Sequence, residues 1–463
     1  MRDLSALIKA YDVRGVVPDQ WGPELAREAG VAFVEVLGIR RNDGGAGRVV
    51  VGHDMRPTGP DLVAAFIDGV TSAGVDVINI GLCSTDGLYF ASGKLDIPGA
   101  MFTASHNPAE YNGIKLCRAG AAPVGQDSGL AEIRTMLESE EVPTYSGPAG
   151  VATNEDMLGA YAQHLRNLVP LENIRRLSVV IDTGNGMGGY TVPAVLGGQL
   201  LDALPLDIDE MFFELDGTFP NHEANPIDPE NLRDLQTRVV EVGADLGLAF
   251  DGDADRCFVV DERGEIVDPS TLTSLIAARE LAKNPESNII HNLITSKAVP
   301  EVILENGGTP VRTRVGHSFI KATMAETNAV FGGEHSGHFY FRDFWKADSG
   351  MLAAMHVLAA LGETSDGTSL SDLLAPFARY VSSGEINTTV SDATAVTSHI
   401  RTVFEQRDAQ FDTLDGLTVT GPTWWFNVRA SNTEPLLRLN VEGDTEADMV
   451  AVRDEVLALM KSA

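Results

Sequence analysis

With 463 residues, of which 44% are hydrophobic, the chain is long enough for about three domains, and no apolar run approaches a membrane span. A formal net charge of −32, from 34 basic and 66 acidic side chains, excludes nucleic acid or an anionic membrane as the expected main partner. The start MRDLSALIKAYDVRG has no basic stretch ahead of an apolar core, so no signal peptide is expected. Three scattered cysteines, Cys83, Cys117 and Cys257, suit a reduced cytoplasmic protein.

The first 150 residues alternate strand-like and helical runs: RVVVGHD, DLVAAFIDGVTSAG, DVINIG and PGAMF. This rhythm predicts an α/β layer with parallel connections. Ser105 follows the last of these runs, in the polar loop TASHNP (Thr103–Pro108) with His106 and Asn107. A serine with no base beside it needs a metal, a base or a charge already on its oxygen to react. We read Ser105 as the carrier of a phosphoryl group.

The stretch VPTYSGPAG (Val142–Gly150) reads as a linker. Beyond it, LSVVIDTGNGMGG sets Gly184, Gly186 and Gly189 in a formal GxGxxG, with Asp202 and Asp207 roughly twenty residues on. Pro193 and the pair Gly197–Gly198 fit poorly with the long helix a dinucleotide site requires. A structural tight turn is the favoured reading.

DGDADR (Asp251–Arg256) places three carboxylates at alternate positions between β-like flanks. One reading is a solvated turn. Another is a calcium loop, with Asp251, Asp253 and Asp255 at positions one, three and five and Glu262 at twelve. That reading fails because the sixth position is Arg256 instead of glycine. A hairpin tip that gathers three oxygens suits magnesium, with coordination positions left for a phosphate oxygen. Arg256 would add a cation where phosphoryl charge develops.

A third segment runs from about Gly264 to GEHSGH (Gly333–His338). Glu334, Ser336 and His338 alternate and would share one side of an extended loop, which suits a polyol. A plain hairpin turn is the alternative, and His335 with His338 lacks a third zinc ligand. After LGETSDGTS comes a smaller α+β module. Its loop RASNTEP (Arg429–Pro435) offers Arg429 as a forked cation and Ser431, Asn432 and Thr433 as short donors, a composition suited to phosphate or to an ordinary turn. The expected boundaries are residues 1–150, 151–263, 264–372 and 373–463.

In this order, TASHNP, DGDADR, GEHSGH and RASNTEP resemble the α-D-phosphohexomutase superfamily, in its bacterial phosphomannomutase/phosphoglucomutase branch. KAYDVRG (Lys9–Gly15) and NGIK (Asn112–Lys115) extend the resemblance over essentially the whole chain. It implies an α/β protein: three α/β domains with mixed sheets plus a C-terminal α+β, TATA-binding-protein-like domain, around a central cleft. It implies phosphoserine at Ser105, with Mg2+ held by Ser105, Asp251, Asp253 and Asp255. Lys115, Arg256 and His338 would share the catalytic work with Ser105, Lys115 and His338 as general acid or base.

Tyr11, Arg14, His106, His317, Glu334, Ser336, His338, Arg429, Ser431, Asn432 and Thr433 would bind substrate. The implied reaction interconverts hexose 1-phosphate and hexose 6-phosphate, of mannose or glucose, with a hexose 1,6-bisphosphate as intermediate and activator. A cytoplasmic monomer or weak dimer acting on small hexose phosphates is expected. Three rivals are a phosphoglucosamine mutase, an Asp-nucleophile phosphatase and a non-catalytic sugar-phosphate-binding relative. His335 and Thr103 argue against the first. Asp255 and the unexplained TASHNP argue against the second, and the retained serine and carboxylates against the third.

Overall fold

The computed structural model describes residues 2–39, 47–430 and 436–462, apart from the side chains of His317, Ser318 and Ser462. The chain divides into two compact units, Met1–Val267 with Ser336–Leu373, and Asp268–His335 with Leu374–Ala463. No helix among the described residues is long and apolar enough to cross a membrane.

The first unit begins with a sheet built from β1 (Val13–Val16), β2 (Arg48–His53), β3 (Asp76–Leu82), β4 (Gly99–Phe102), β5 (Tyr111–Arg118), β6 (Ala122–Pro123) and β7 (Ala152–Asn154). Helices α1 (Pro23–Leu37), α2 (Gly59–Ser72), α3 (Thr85–Leu95) and α4 (Leu130–Ser139) intervene. Val49, Val50 and Val51 of β2 are wholly buried, as the apolar run RVVV predicts for a strand covered on both faces. The strand order is β1-β5-β4-β2-β3-β7, with β6 beside β5.

Strand β2 runs parallel to β3 and β4, whereas β5 is antiparallel to both β4 and β1. The layer is therefore one of the mixed sheets that the resemblance implies, with parallel connections up to β4 and a reversal at β5. The reason is the connection: Thr103–Glu110 is shorter than the dozen or so residues a parallel crossover takes, so β5 must turn back along β4. Strand β7, just past the VPTYSGPAG stretch, adds to this same sheet beside β3.

A second sheet in this unit has the order β12-β11-β10-β8-β9. Its strands are β8 (Leu177–Asp182), β9 (Leu206–Met211), β10 (Leu246–Phe250), β11 (Cys257–Asp261) and β12 (Ile266–Val267), with helices α5 (Leu158–Leu168), α6 (Gly188–Val195) and α7 (Arg233–Val242). Strand β8 is parallel to β9 and β10, and β10 and β11 form the hairpin expected around DGDADR. Helix α6 has only eight residues and contains Pro193, which agrees with a tight turn and not with a dinucleotide helix. The unit is completed by the hairpin Phe339–Phe341 and Ala347–Asp348 and the wholly buried helix Gly350–Gly362.

In the second unit, parallel strands Asn288–Asn292, Thr309–Thr313 and Phe331–Gly333 alternate with helices Ala298–Glu305 and His317–Thr327, after the helix Pro269–Lys283. The C-terminal part is a five-stranded antiparallel sheet with helices Ala393–Phe404 and Glu446–Ser462. Phe404, Phe426, Leu437, Leu439 and Val456 fill its core. RASNTEP begins at the end of one of its strands, Trp424–Ala430, and leads to the next, Leu436–Gly443.

Candidate active site

Strand β4 delivers the TASHNP loop at its C-terminal end. The neighbouring β5 sets Lys115 opposite Met101 and, on its other edge, Gly113 opposite Arg14. The tip of the β10–β11 hairpin carries Asp251 to Arg256, and the two loops meet at Ser105. Its Oγ donates to Asp251 Oδ2 at 2.8 Å and lies 3.2 Å from His106 Nδ1 and 3.5 Å from Arg256 Nη2. The serine therefore does have proton acceptors beside it. One is adjacent in sequence, and the other is 146 positions away and invisible to local reading.

The backbone of Ser105 is held at φ +49°, a left-handed conformation that a residue with a side chain adopts only when its surroundings impose it. Its amide donates to Thr103 Oγ1 at 2.9 Å. The carbonyl oxygen of Ser105 presses against Gly252, where a Cβ would fall 2.4 Å from it. Gly186 presses on Gly252 from elsewhere, with a Cβ there meeting the Gly252 carbonyl oxygen at 2.7 Å, and Met187 N donates to that carbonyl at 2.9 Å. The GxGxxG turn is thus the seat of the acidic loop, and its glycines allow backbones to touch.

Asp251, Asp253 and Asp255 each present an oxygen within 4.8 Å of the others, and all three are buried. Burial, only partly offset by Arg256, pushes the Asp251 carboxyl above the usual range. Burial pushes Asp253 the same way, but Lys115 and Thr85 outweigh it and hold that group ionised. Lys115 Nζ lies 2.7 Å from Asp253 Oδ2 and 2.6 Å from Asp255 Oδ2. Burial opposes its charge, yet the two carboxylates raise its pKa well above the ordinary lysine value. Arg256 Nε pairs with Asp251 Oδ2 at 2.9 Å.

Asp253 Oδ1 and Asp255 Oδ1 are buried with no hydrogen-bond partner among the described residues. Converging, acceptor-only, unsatisfied oxygens are the donor set a hard divalent cation takes, so the residues fit a metal ion.

His338 and Ser336 come to the same place. An isolated bridge pairs Arg256 with His338, His338 Nε2 is 3.6 Å from Asp255 Oδ1, and Ser336 Oγ is 2.9 Å from His338 Nδ1. Arg14 Nη1 donates to Asn107 Oδ1 at 2.7 Å, which ties the half-buried Tyr11–Arg14 segment to the serine loop. Burial, with Arg256 adding to it, holds the His106 imidazole neutral.

The other expected binding residues belong to the second unit. There Glu334 accepts from Gly316 N at 3.2 Å, and Arg429 Nη2 pairs with Glu385 Oε2 at 2.9 Å. His317 begins a helix, but its side chain, like Ser431, Asn432 and Thr433, lies outside the described residues. Two residues that motif reading missed complete the first unit's site. Thr85 Oγ1 donates to Asp253 Oδ2 at 2.6 Å while Thr85 N donates to Asp253 O at 3.0 Å, and Arg56 grips the serine loop from behind. Ser84, which caps α3 by accepting from Gly87 N, was the only local hint of the first.

Four family profiles match the chain in order. They are phosphoglucomutase/phosphomannomutase alpha/beta/alpha domain I over residues 5–143, domain II over 159–264, domain III over 268–380, and the C-terminal domain over 385–459. A phosphomannomutase of Escherichia coli is 38% identical over 459 residues, covering 98% of each chain. The chain belongs to the phosphoglucomutase/phosphomannomutase family. A protein of Xanthomonas campestris described as phosphohexose mutases is 39% identical, over 97% of this chain and 98% of that one. The crystal structure of a family protein from Burkholderia thailandensis superposes with a TM-score of 0.86 at 31% identity, over 99% of this chain and 97% of the other. Membership in this family makes the protein a hexose-phosphate mutase, and with it the buried triad reads as a metal centre.

Proposed function

We propose that the chain interconverts the 1- and 6-phosphates of mannose or glucose by passing a phosphoryl group through Ser105. The observation that carries this is the serine hydroxyl fixed 2.8 Å from Asp251 Oδ2, within reach of the buried Arg256. With Ser105 phosphorylated, its O–P bond breaks as a P–O bond forms to the free hydroxyl of a bound hexose phosphate. The proton of that hydroxyl passes to a neighbouring base, and the Ser105 oxygen set free takes up a proton from solvent. His338 suits this role better than Lys115, because Asp253 and Asp255 keep Lys115 an ammonium ion that donates but does not accept.

The resulting 1,6-bisphosphate turns over and gives its other phosphoryl group to Ser105 Oγ. As that P–O bond forms, the sugar O–P bond breaks: the serine proton leaves toward the neutral His106 Nδ1, and the departing sugar oxygen takes back the proton held by the base since the first transfer. A divalent cation, Mg2+ in this reading, held by Asp251, Asp253, Asp255 and the Ser105 oxygen, would supply charge against the transferring phosphoryl group. Arg256 adds a fixed positive charge beside the same oxygen. Glu334 and Ser336 would hold sugar hydroxyls, with Tyr11, Arg14, His106, His317 and His338 as further substrate contacts. Arg429, Ser431, Asn432 and Thr433 would hold the phosphate that is not moving.

The test is a coupled assay of purified protein with Mg2+ on mannose 1-phosphate and glucose 1-phosphate, with and without a trace of the 1,6-bisphosphate. Bisphosphate-dependent formation of hexose 6-phosphate is expected, and the ratio of rates gives the sugar preference. Release of free phosphate in place of hexose 6-phosphate would overturn the reading.

A further inference from the structure

Arg56 is fully buried, directly beneath the serine loop. Its Nη2 donates to the carbonyl oxygens of Ser105 (2.9 Å) and Asn107 (2.6 Å), and its Nη1 to those of Pro108 (2.7 Å) and Tyr111 (2.8 Å). All four terminal N–H groups are thus spent on the loop and the first residue of β5 that follows it. The third side of the guanidinium faces Asp54, Nε to Oδ2 at 3.3 Å, and Asp54 Oδ1 accepts from Arg56 N at 3.0 Å. Thr103, one residue past the end of β4, accepts from the Ser105 amide through its Oγ1 at 2.9 Å.

Loop carbonyls ordinarily face water. Here three of them, with that of Tyr111 at the start of β5, turn inward to a single cation, so the loop backbone has one arrangement. In that arrangement Ser105 sits at φ +49° and its Oγ faces Asp251.

We propose that the buried Asp54–Arg56–Thr103 group is a clamp that fixes the direction of the Ser105 oxygen, with Arg56 as a positioning residue for phosphoryl transfer. This rests on Ser105 being the phosphoryl carrier. A planar fork with several donors at fixed angles serves four carbonyls, whereas the three rotating donors of a lysine do not. Arg56→Lys keeps the charge that neutralises Asp54 and loses the geometry. Displacements of about 1 Å in a reacting group cost on the order of 10²-fold in rate. The clamp touches no substrate, so the loss falls on turnover alone.

The experiment compares wild type, Arg56→Lys and Ser105→Ala. It measures kcat and KM with glucose 1-phosphate, the single-turnover rate of Ser105 phosphorylation by glucose 1,6-bisphosphate followed by intact mass, and the folded fraction by circular dichroism. Arg56→Lys is expected to fold and to lose about 10²-fold in both kcat and phosphorylation rate, with KM within about threefold of wild type. Rates within about threefold of wild type, or a loss fully accounted for by an unfolded fraction, would overturn the clamp. If Arg56→Lys does not fold, Thr103→Val removes the acceptor for the Ser105 amide. A roughly tenfold fall in the same rates at constant KM supports the clamp, and unchanged rates refute it. Normal turnover by Ser105→Ala would instead refute phosphoserine itself. An inactive Ser105→Ala beside a wild-type-like Arg56→Lys refutes only the clamp.

Discussion

The serine centre of the first unit and the Arg429 region of the second both gather cations and carboxylates, but they hold them differently. At the serine centre Asp251, Asp253, Asp255 and Arg256 are buried: Lys115 on β5 pairs with Asp253 and Asp255, Thr85 at the head of α3 bonds Asp253, and Arg56 holds the serine loop from beneath. In the Arg429 region one carboxylate, Glu385, is shared by Arg429 at 2.9 Å and Arg438 at 3.3 Å, and all three side chains are partly open to solvent. Preorganised charge in a buried site costs no rearrangement at the moment of reaction, which is what bond making needs. A partly solvated, shared ion pair is exchangeable, which suits the role proposed for Arg429, a phosphate grip that would accept either end of a turning intermediate.

Breaking the fixed side of this contrast should have the largest effects. Ser105→Ala is expected to lose about 10³-fold or more of turnover in the coupled assay while hexose-phosphate binding by calorimetry stays within about threefold. Normal turnover would dismiss the serine altogether. Thr85→Val removes the hydroxyl that orients Asp253 and is expected to weaken Mn2+ binding, followed by electron paramagnetic resonance without substrate, by about 10- to 100-fold. Thr85→Ser should restore it, and wild-type affinity in Thr85→Val would show that Lys115 alone sets the carboxylate.

The sequence made some of this legible and hid the rest for a physical reason. The apolar runs around DGDADR and TASHNP marked strands, and the polar loops between them marked chemistry, because strand periodicity and turn composition are local properties. Sheet direction was not local: β5 is antiparallel because of a connection length, and the mixed sheets were expected only from the family resemblance. The same division holds within the site. Asp251, Asp253 and Asp255 share one hexapeptide and were visible. The partners that hold them in place, Thr85 for Asp253 and Arg56 for the loop, stand in STD and MRP stretches whose side chains acquire meaning only through contacts 168 and 49 positions away. The GxGxxG was visible but ambiguous, and only the approach of Gly186 to Gly252 assigned it as a seat.

The exchangeable side of the contrast predicts smaller effects of opposite sign. Arg429→Lys replaces a fork with a point charge and should raise KM for glucose 1-phosphate about tenfold with little change in kcat. Glu385→Gln removes the competing carboxylate from the same arginine and should lower KM about threefold. Steady-state kinetics at fixed Mg2+ decide both. A fall in kcat as large as the change in KM, in either variant, would mean that this region is as rigidly coupled to the chemistry as the serine centre.

The contrast extends to two carboxylates of the first unit that are equally buried. Asp253 has Lys115 beside it and stays ionised, whereas among the described residues the side chains that bond Asp86 are hydroxyls, Tyr161 at 2.7 Å, Ser349 at 2.6 Å and Ser84. Burial therefore dominates at Asp86 despite these bonds and pushes its carboxyl up to about 6, from about 4 in an unfolded chain. A carboxyl raised on folding favours the folded state when protonated. Its contribution is complete below pH 4 and is lost as the pH rises through 6, by at most about 3 kcal/mol. Asp86→Asn keeps an oxygen that accepts from Tyr161 and Ser349 but cannot ionise. The stability of wild type relative to this variant, from urea unfolding at intervals between pH 4 and 7, should fall across that window and level off above it. A difference independent of pH would mean that the hydroxyls alone match what Lys115 does for Asp253.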